Sequence, residues 1–289
     1  DGPLRRVSHR VVVVIVVVVV VPCELEDRLH RLLSTDPTPT RRLNPELNAV
    51  SRPVPLVRIA RWSARYPAVA EVNSGDVVHL WTVSGEPGGI PMDEWDVPSE
   101  LRSIWAKRCG AEDGTQPGCL DRTHCPVPHC GAPGPHVMTG PVAVHGAEPG
   151  DVLKVEILSA DPWVDWGWNA IRRGKGALGH LPEFDEPGTI VIPVGMAKRT
   201  ARMPWGDAKG GVEFPLNCFF GQMGVAPAPN LGEISSIQPG PHGGNLDNKD
   251  LAPGSVVYFK VNVPGAMFSA GDGHGAQVRF IFISVCTGK

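Results

Sequence analysis

A mainly β fold, with sandwich-like sheets and few short helices, follows from three features of this 289-residue chain. Valine is abundant, and there are 34 glycines and 30 prolines. Gly and Pro together make about a fifth of the chain, short of the range for disorder, so they read as punctuation between short strands. One turn-then-strand motif also occurs three times: SGDVVHLWTV at Ser74–Val83, PGDVLKVEIL at Pro149–Leu158 and PGSVVYFKVNV at Pro253–Val263. Each has a glycine where a turn needs backbone freedom, then an apolar run. Val155 and Ile157 alternate with Lys154 and Glu156, and Phe259 and Val261 with Tyr258 and Lys260. That period of two marks strands buried on one face in sheets packed on one another. The motif leaves internal duplication and ordinary repetition of a β unit both open.

Taken in order, the chain opens on Val11–Val21, eleven β-branched residues after Arg5, Arg6 and Arg10. Eleven residues are too few to cross a bilayer, which takes about twenty. Pro22, Cys23 and Glu24 follow in place of a small-residue cleavage site, so the run is expected to be low-complexity or mistranslated sequence rather than a signal peptide. Exposed, it would be prone to aggregate. Glu24–Leu33 suits a short helix with Leu25, Leu29, Leu32 and Leu33 on one face, and linker follows. Residues 1–50 therefore form an atypical segment ahead of a domain at 51–277. Within it, Asp93–Arg108 is the best helix, with Trp95, Leu101, Ile104 and Trp105 for one face and Pro98 in its first turn. Residues 111–135 read as a loop. Trp163, Trp166 and Trp168 are expected to fill the core rather than to wall a pocket.

The composition narrows the function. A formal charge of −3 makes nucleic acid and anionic membrane poor partners. Seven cysteines without a CxxC pair point to a cytoplasmic, thiol-bearing protein. Cys119, Cys125 and Cys130 beside His124 and His129 fit no zinc template and are expected to be structural or incidental, the rival being a metal-binding module on segment 119–130. GxSxG, HExxH and GxxxxGK[ST] are all missing from the sequence.

What remains is polar residues in glycine-rich loops. His242–Asp250, HGGNLDNKD, offers a base, an amide donor and a hard oxygen ligand. In Gly271–Gly275, GDGHG, Asp272 and His274 are two apart and share a face if extended. They could hold a divalent metal or form a carboxylate–imidazole pair. His136 and Thr139 lie in PHVMTGP, and Glu148 follows in AEPG. Each segment also suits an ordinary turn.

Together, HVMTGPVAVHGAEPGDVLKVEIL (136–158), MGVAPAP (223–229), HGGNLDNKDL (242–251) and VPGAMFSAGDGHGAQ (263–277), with RWSARYPAVAEVNSGDVV (61–78) upstream, resemble the acetamidase/formamidase family in order. The resemblance implies a mostly β, homo-oligomeric enzyme that hydrolyses formamide, acetamide or related linear amides, with Zn2+ or another divalent metal in some members. Carried over, Asp247, His274, Asn245 and, more weakly, Glu148 become catalytic candidates, and His136, Asp247, Asp272 and His274 metal ligands. The family pattern continues Gly-Asp-Gly-Glu after Gln277, whereas Val278–Lys289 contains no acid. The divergent ends point to a misread or decayed copy, and the rival reading is an inactive β-sandwich remnant that binds a small ligand.

Overall fold

The computed structural model describes residues 14–21, 52–54, 61–82, 136–162, 164–171, 180–184, 186, 188–203, 211–277 and 284–287. Three sheets and a two-stranded pair account for its strands. The first sheet contains β1 (Val14–Val21), β2 (Arg52–Val54), β5 (Val77–Leu80), β7 (Val152–Ile157) and β15 (Val256–Lys260), in the order β15-β7-β1-β5-β2. The second contains β4 (Ala70–Val72), β6 (Met138–Val144), β12 (Phe219–Gly224), β14 (Gly243–Asn245) and β16 (Phe268–His274), in the order β14-β12-β16-β6-β4. The third contains β8 (Trp166–Ile171), β9 (Gly188–Gly195), β10 (Thr200–Met203), β11 (Val212–Pro215), β17 (Ala276–Gln277) and β18 (Ser284–Thr287), in the order β11-β10-β9-β8-β18-β17. Strands β3 (Arg61–Trp62) and β13 (Ile234–Ser235) pair with each other.

The first two sheets share one core. Val78, Leu80, Leu153, Val155, Ile157 and Phe259 of the first pack in the same buried cluster as Val142, Val144, Phe220, Met223 and Phe268 of the second. This is sheet-on-sheet packing, the expected sandwich. In β7 burial alternates residue by residue, with Leu153, Val155 and Ile157 buried and Lys154 and Glu156 partly exposed. The three repeated motifs supply β7, β15 and β5, so all lie in one sheet. Their turn glycines, Gly75, Gly150 and Gly254, share one left-handed conformation at φ 94°, 105° and 91°, which a side chain would strain.

The valine run enters this sheet. Backbone pairing joins β1 antiparallel to β5 on one side (Val17 opposite Val77) and to β7 on the other (Val16 opposite Ile157). β-Branched residues favour the extended backbone that this needs. Trp166 and Trp168 are buried, in line with core filling. Among the described residues there is no α-helix, and helical structure is limited to short 3-10 turns at Pro182–Phe184 and Pro229–Leu231. The helices expected at Glu24–Leu33 and Asp93–Arg108, the Cys/His segment 119–130 and Trp163 lie outside the described residues. A satellite cluster of Trp62 and Met138, with Tyr66 and Ile234, packs the β3–β13 pair against the start of β6.

Leu153 is fully buried in the shared core. Its truncation to Ala should cost about 2–5 kcal/mol, from lost transfer energy and the cavity left behind. Val256→Ala, on the exposed side of β15, should cost under about 1 kcal/mol. Urea titration of the two variants checks the contrast.

Candidate active site

The site is built on two adjacent glycine-rich strands. β12 reads FFGQMG and β16 reads FSAGDGH, and both are buried along their whole length. They pair antiparallel, with Phe219 opposite His274 and Gln222 opposite Gly271. His274 Nε2 lies 3.3 Å from Asp272 Oδ2 and 3.3 Å from Asp247 Oδ1. One ligand atom from each of the three residues falls within 4.8 Å of the others. Phe219 stacks on the His274 ring at 4.9 Å and 25°. Asp272 and His274 are buried, while the Asp247 side chain is 45% exposed, so the cluster opens on the Asp247 side.

Gly221 forms the floor. A Cβ there would stand 2.6 Å from His274 Nε2, 2.7 Å from Asp247 Oδ1 and 2.8 Å from Asp272 Oδ2. The three donor atoms therefore converge on a space that any side chain at 221 would fill. Two carboxylates and an imidazole are ordinary ligands for Zn2+ or a similar divalent ion. Tetrahedral ligands at about 2.0–2.1 Å from an ion are about 3.3 Å apart, and both measured separations are 3.3 Å. The residues fit such an ion.

Both aspartates have left-handed backbones, at φ 43° for Asp247 and 53° for Asp272. Asp tolerates this conformation better than most residues, and such strain collects where a site is held against local preference. The Asp247 loop is tied down from two sides. Its N–H donates to the Gly221 carbonyl at 3.1 Å. Gln277 Nε2 donates to the Asp247 carbonyl at 2.7 Å, and Gln277 Oε1 accepts from Lys249 N–H at 3.1 Å.

Of the residues expected from the sequence, Asp247, Asp272 and His274 come together. His136 flanks them, with Nε2 3.7 Å from Asp272 Oδ2 and Nδ1 2.9 Å from the Ser236 hydroxyl. Asn245 is adjacent but engaged: Oδ1 accepts from Gln222 Nε2 at 2.7 Å and Nδ2 donates to the Ile237 carbonyl at 3.3 Å. Glu148 is not brought to the cluster. It is exposed in the turn between β6 and β7, where its N–H donates to Asp151 Oδ2. His136 precedes the other end of β6, and seven strand residues (Met138–Val144) lie between, about 20 Å of extended chain. The Thr139 hydroxyl donates to the Trp81 carbonyl, a structural bond.

Sequence reasoning missed Gly221, Gln222, Ser236 and Gln277. A glycine inside an apolar strand signals close approach of another group, so Gly221 was the one open to detection. His242 does not join the site. It is buried, with its ring 5.3 Å from that of Trp62, and burial lowers its pKa from 6.5.

The model of the acetamidase/formamidase family matches residues 127–236 and 231–278, a span that holds every residue of the cluster. The chain belongs to the acetamidase/formamidase family. It is 30% identical over 263 residues to a formamidase of Methylophilus methylotrophus, covering 75% of this chain and 57% of that one. It is 25% identical over 198 residues to an acetamidase of Mycolicibacterium smegmatis, covering 49% of this chain and 48% of the relative. The chain thus spans about half the length of these relatives. The crystal structure of an acetamidase from Bacillus halodurans shares the fold, with a TM-score of 0.56 at 24% identity, covering 82% of this chain and 67% of that one.

Burial of His242 makes the stability of the fold depend on pH. Its folded pKa lies below 6.5, so the unfolded chain takes up this proton first as pH falls. The stability it supports is full above pH 6.5 and declines as pH drops through the folded pKa. His242→Gln should flatten the fall in urea midpoint between pH 7.5 and the acid side, whatever its effect on absolute stability.

Proposed function

We propose that this chain carries the active site of a hydrolase of short-chain linear amides, converting formamide- or acetamide-like substrates and water to a carboxylic acid and ammonia. The observation that carries the reading is the convergence of Asp247, Asp272 and His274 over Gly221, inside the span matched by the family model.

The reaction needs an activated water, charge stabilisation for the tetrahedral intermediate and a proton for departing ammonia. Asp247, Asp272 and His274 would hold Zn2+ or another divalent ion, with His136 completing the set from the Asp272 side. Bound there, the ion would lower the pKa of a coordinated water and polarise the amide carbonyl. Asp247 is the carboxylate a small amide can reach. With Oδ1 turned into the cluster, its second oxygen is the group to take a proton from water and return it to the leaving nitrogen. His274 is held flat by Phe219, which keeps Nε2 aimed at the two carboxylates. Asn245, engaged with Gln222 and Ile237, braces the loop and keeps a second Nδ2 hydrogen for the oxyanion.

The working form is taken to be a cytoplasmic homo-oligomer acting on a small molecule. Support comes from the family resemblance, the near-neutral charge and the cysteine pattern. Among the described residues no helix is long and apolar enough to cross a membrane.

Gly221→Ala is the sharpest test. Gly221 is not in the left-handed region, so alanine suits its backbone, while its Cβ occupies the space between the three donor atoms. Ammonia release from formamide and acetamide should fall by about a hundredfold or more, beyond the ten- to hundredfold that supporting residues cost. Bound metal should be lost with it, and stability in urea titration should fall by no more than overpacking one buried site costs, about 1–3 kcal/mol. Chelation of the wild-type protein should reproduce the loss. Activity indifferent both to chelator and to Gly221→Ala would remove this reading, and no ammonia from any short amide would favour the ligand-binding remnant.

A further inference from the structure

Behind the cluster runs a second tier of buried polar groups that the proposed chemistry does not use. Ser236 and Gln222 are both fully buried. Gln222 Nε2 donates to the Ser236 carbonyl at 2.8 Å and to Asn245 Oδ1 at 2.7 Å. Asn245 Nδ2 in turn donates to the carbonyl of Ile237. Two side-chain amides, one from β12 and one from β14, thus clamp the backbone of consecutive residues just after β13. The hydroxyl of the clamped Ser236 lies 2.9 Å from His136 Nδ1, and the opposite nitrogen of that ring faces Asp272 Oδ2 at 3.7 Å.

We infer that Ser236 is a positioning residue, clamped by Gln222, that ties His136 through Nδ1 so that Nε2 is presented to the Asp247–Asp272–His274 cluster. A neutral imidazole has one N–H and one lone pair, and the partner of one nitrogen decides the state of the other. When Nδ1–H donates to the Ser236 oxygen, the lone pair of Nε2 points to the cluster. Histidines that ligate metals are commonly oriented in this way by a bond at the other nitrogen. The side-chain order Ser236, His136, Asp272 also resembles that of an acyl-transfer triad. Two measurements oppose that role. Ser236 has no exposed surface for a substrate to reach, and 3.7 Å from Nε2 to Asp272 is beyond hydrogen-bond distance. The inference rests on the metal-holding reading of the cluster proposed above.

The test uses Zn2+ and the full chain. Ser236→Ala should weaken Zn2+ binding, measured by competition with a chromogenic chelator, by about ten- to a hundredfold. In steady-state amide hydrolysis kcat should fall while KM stays within about twofold. In a His136→Ala background, Ser236→Ala should add nothing to the loss of Zn2+ affinity, because the serine acts only through that ring. On the unmodified protein, which avoids any question of folding, 15N imidazole spectra should show the His136 Nε2 signal moving on Zn2+ addition while Nδ1 stays protonated. Movement at Nδ1, or none at His136, overturns the inference. So do unchanged Zn2+ affinity in folded Ser236→Ala, losses that add across the two substitutions, or an acyl adduct on Ser236 trapped by acid quench and mass spectrometry. A wild-type protein that binds no Zn2+ overturns the metal-holding reading as well, which separates the two failures.

Discussion

Two glycines in adjacent strands leave the space in which the candidate site is assembled, and the rest of the site depends on that space. At Gly221 a side chain would occupy the point where Asp247, Asp272 and His274 converge. At Gly271 it would run into the Val137 carbonyl. The first glycine leaves room for the donor atoms. The second lets the chain entering β6 lie against β16, and this brings His136 within reach of Asp272. Pleated sheets ordinarily fill the gap between neighbouring strands with cross-strand side-chain pairs. Here two of those positions hold only hydrogen, and polar groups from other segments use the space.

The sandwich serves that arrangement as a rigid back. β12, β16 and β6 lie side by side in one sheet, and their apolar residues pack against the first sheet through Phe220, Met223, Phe268 and Val142. Burial of this kind restrains the register of the strands. Asp272 and His274 therefore hold their places through the packing of apolar residues outside the cluster. The Asp247 loop is backed by Leu246 and Leu251, which pack against the same core, and is restrained further by Gln277 and the Gly221 carbonyl.

Much of this was legible from spacing alone. Asp272 and His274 stand two apart in an extended run, and the polar loop around Asp247 carried its own signal. Alternation in β7 and the three turn glycines foretold one-sided burial in a sheet. Partners across the sheet were not legible. Ser236 and His136 are 100 residues apart, and no local period records which strands become neighbours. Glu148 shows the converse limit: it lies in a block that resembles the family yet turns outward at the far end of β6. The valine run was opaque for another reason. A segment of one residue type has no alternation, so nothing in it distinguishes a strand paired on both sides from any other apolar stretch.

That strand bears on the order of assembly. β1 lies between β5 and β7, so the first sheet is not a meander that can zip up as the chain emerges. Its centre is filled from the start of the sequence, while both flanking partners arrive much later. Such non-local pairing pays loop-closure entropy before any contact rewards it, and it makes folding slow. Until β5 and β7 close on it, an eight-residue valine-rich strand would present two open edges. The N-terminal run that completes the sheet is thus also the segment whose waiting time governs how exposed the nascent chain is to self-association.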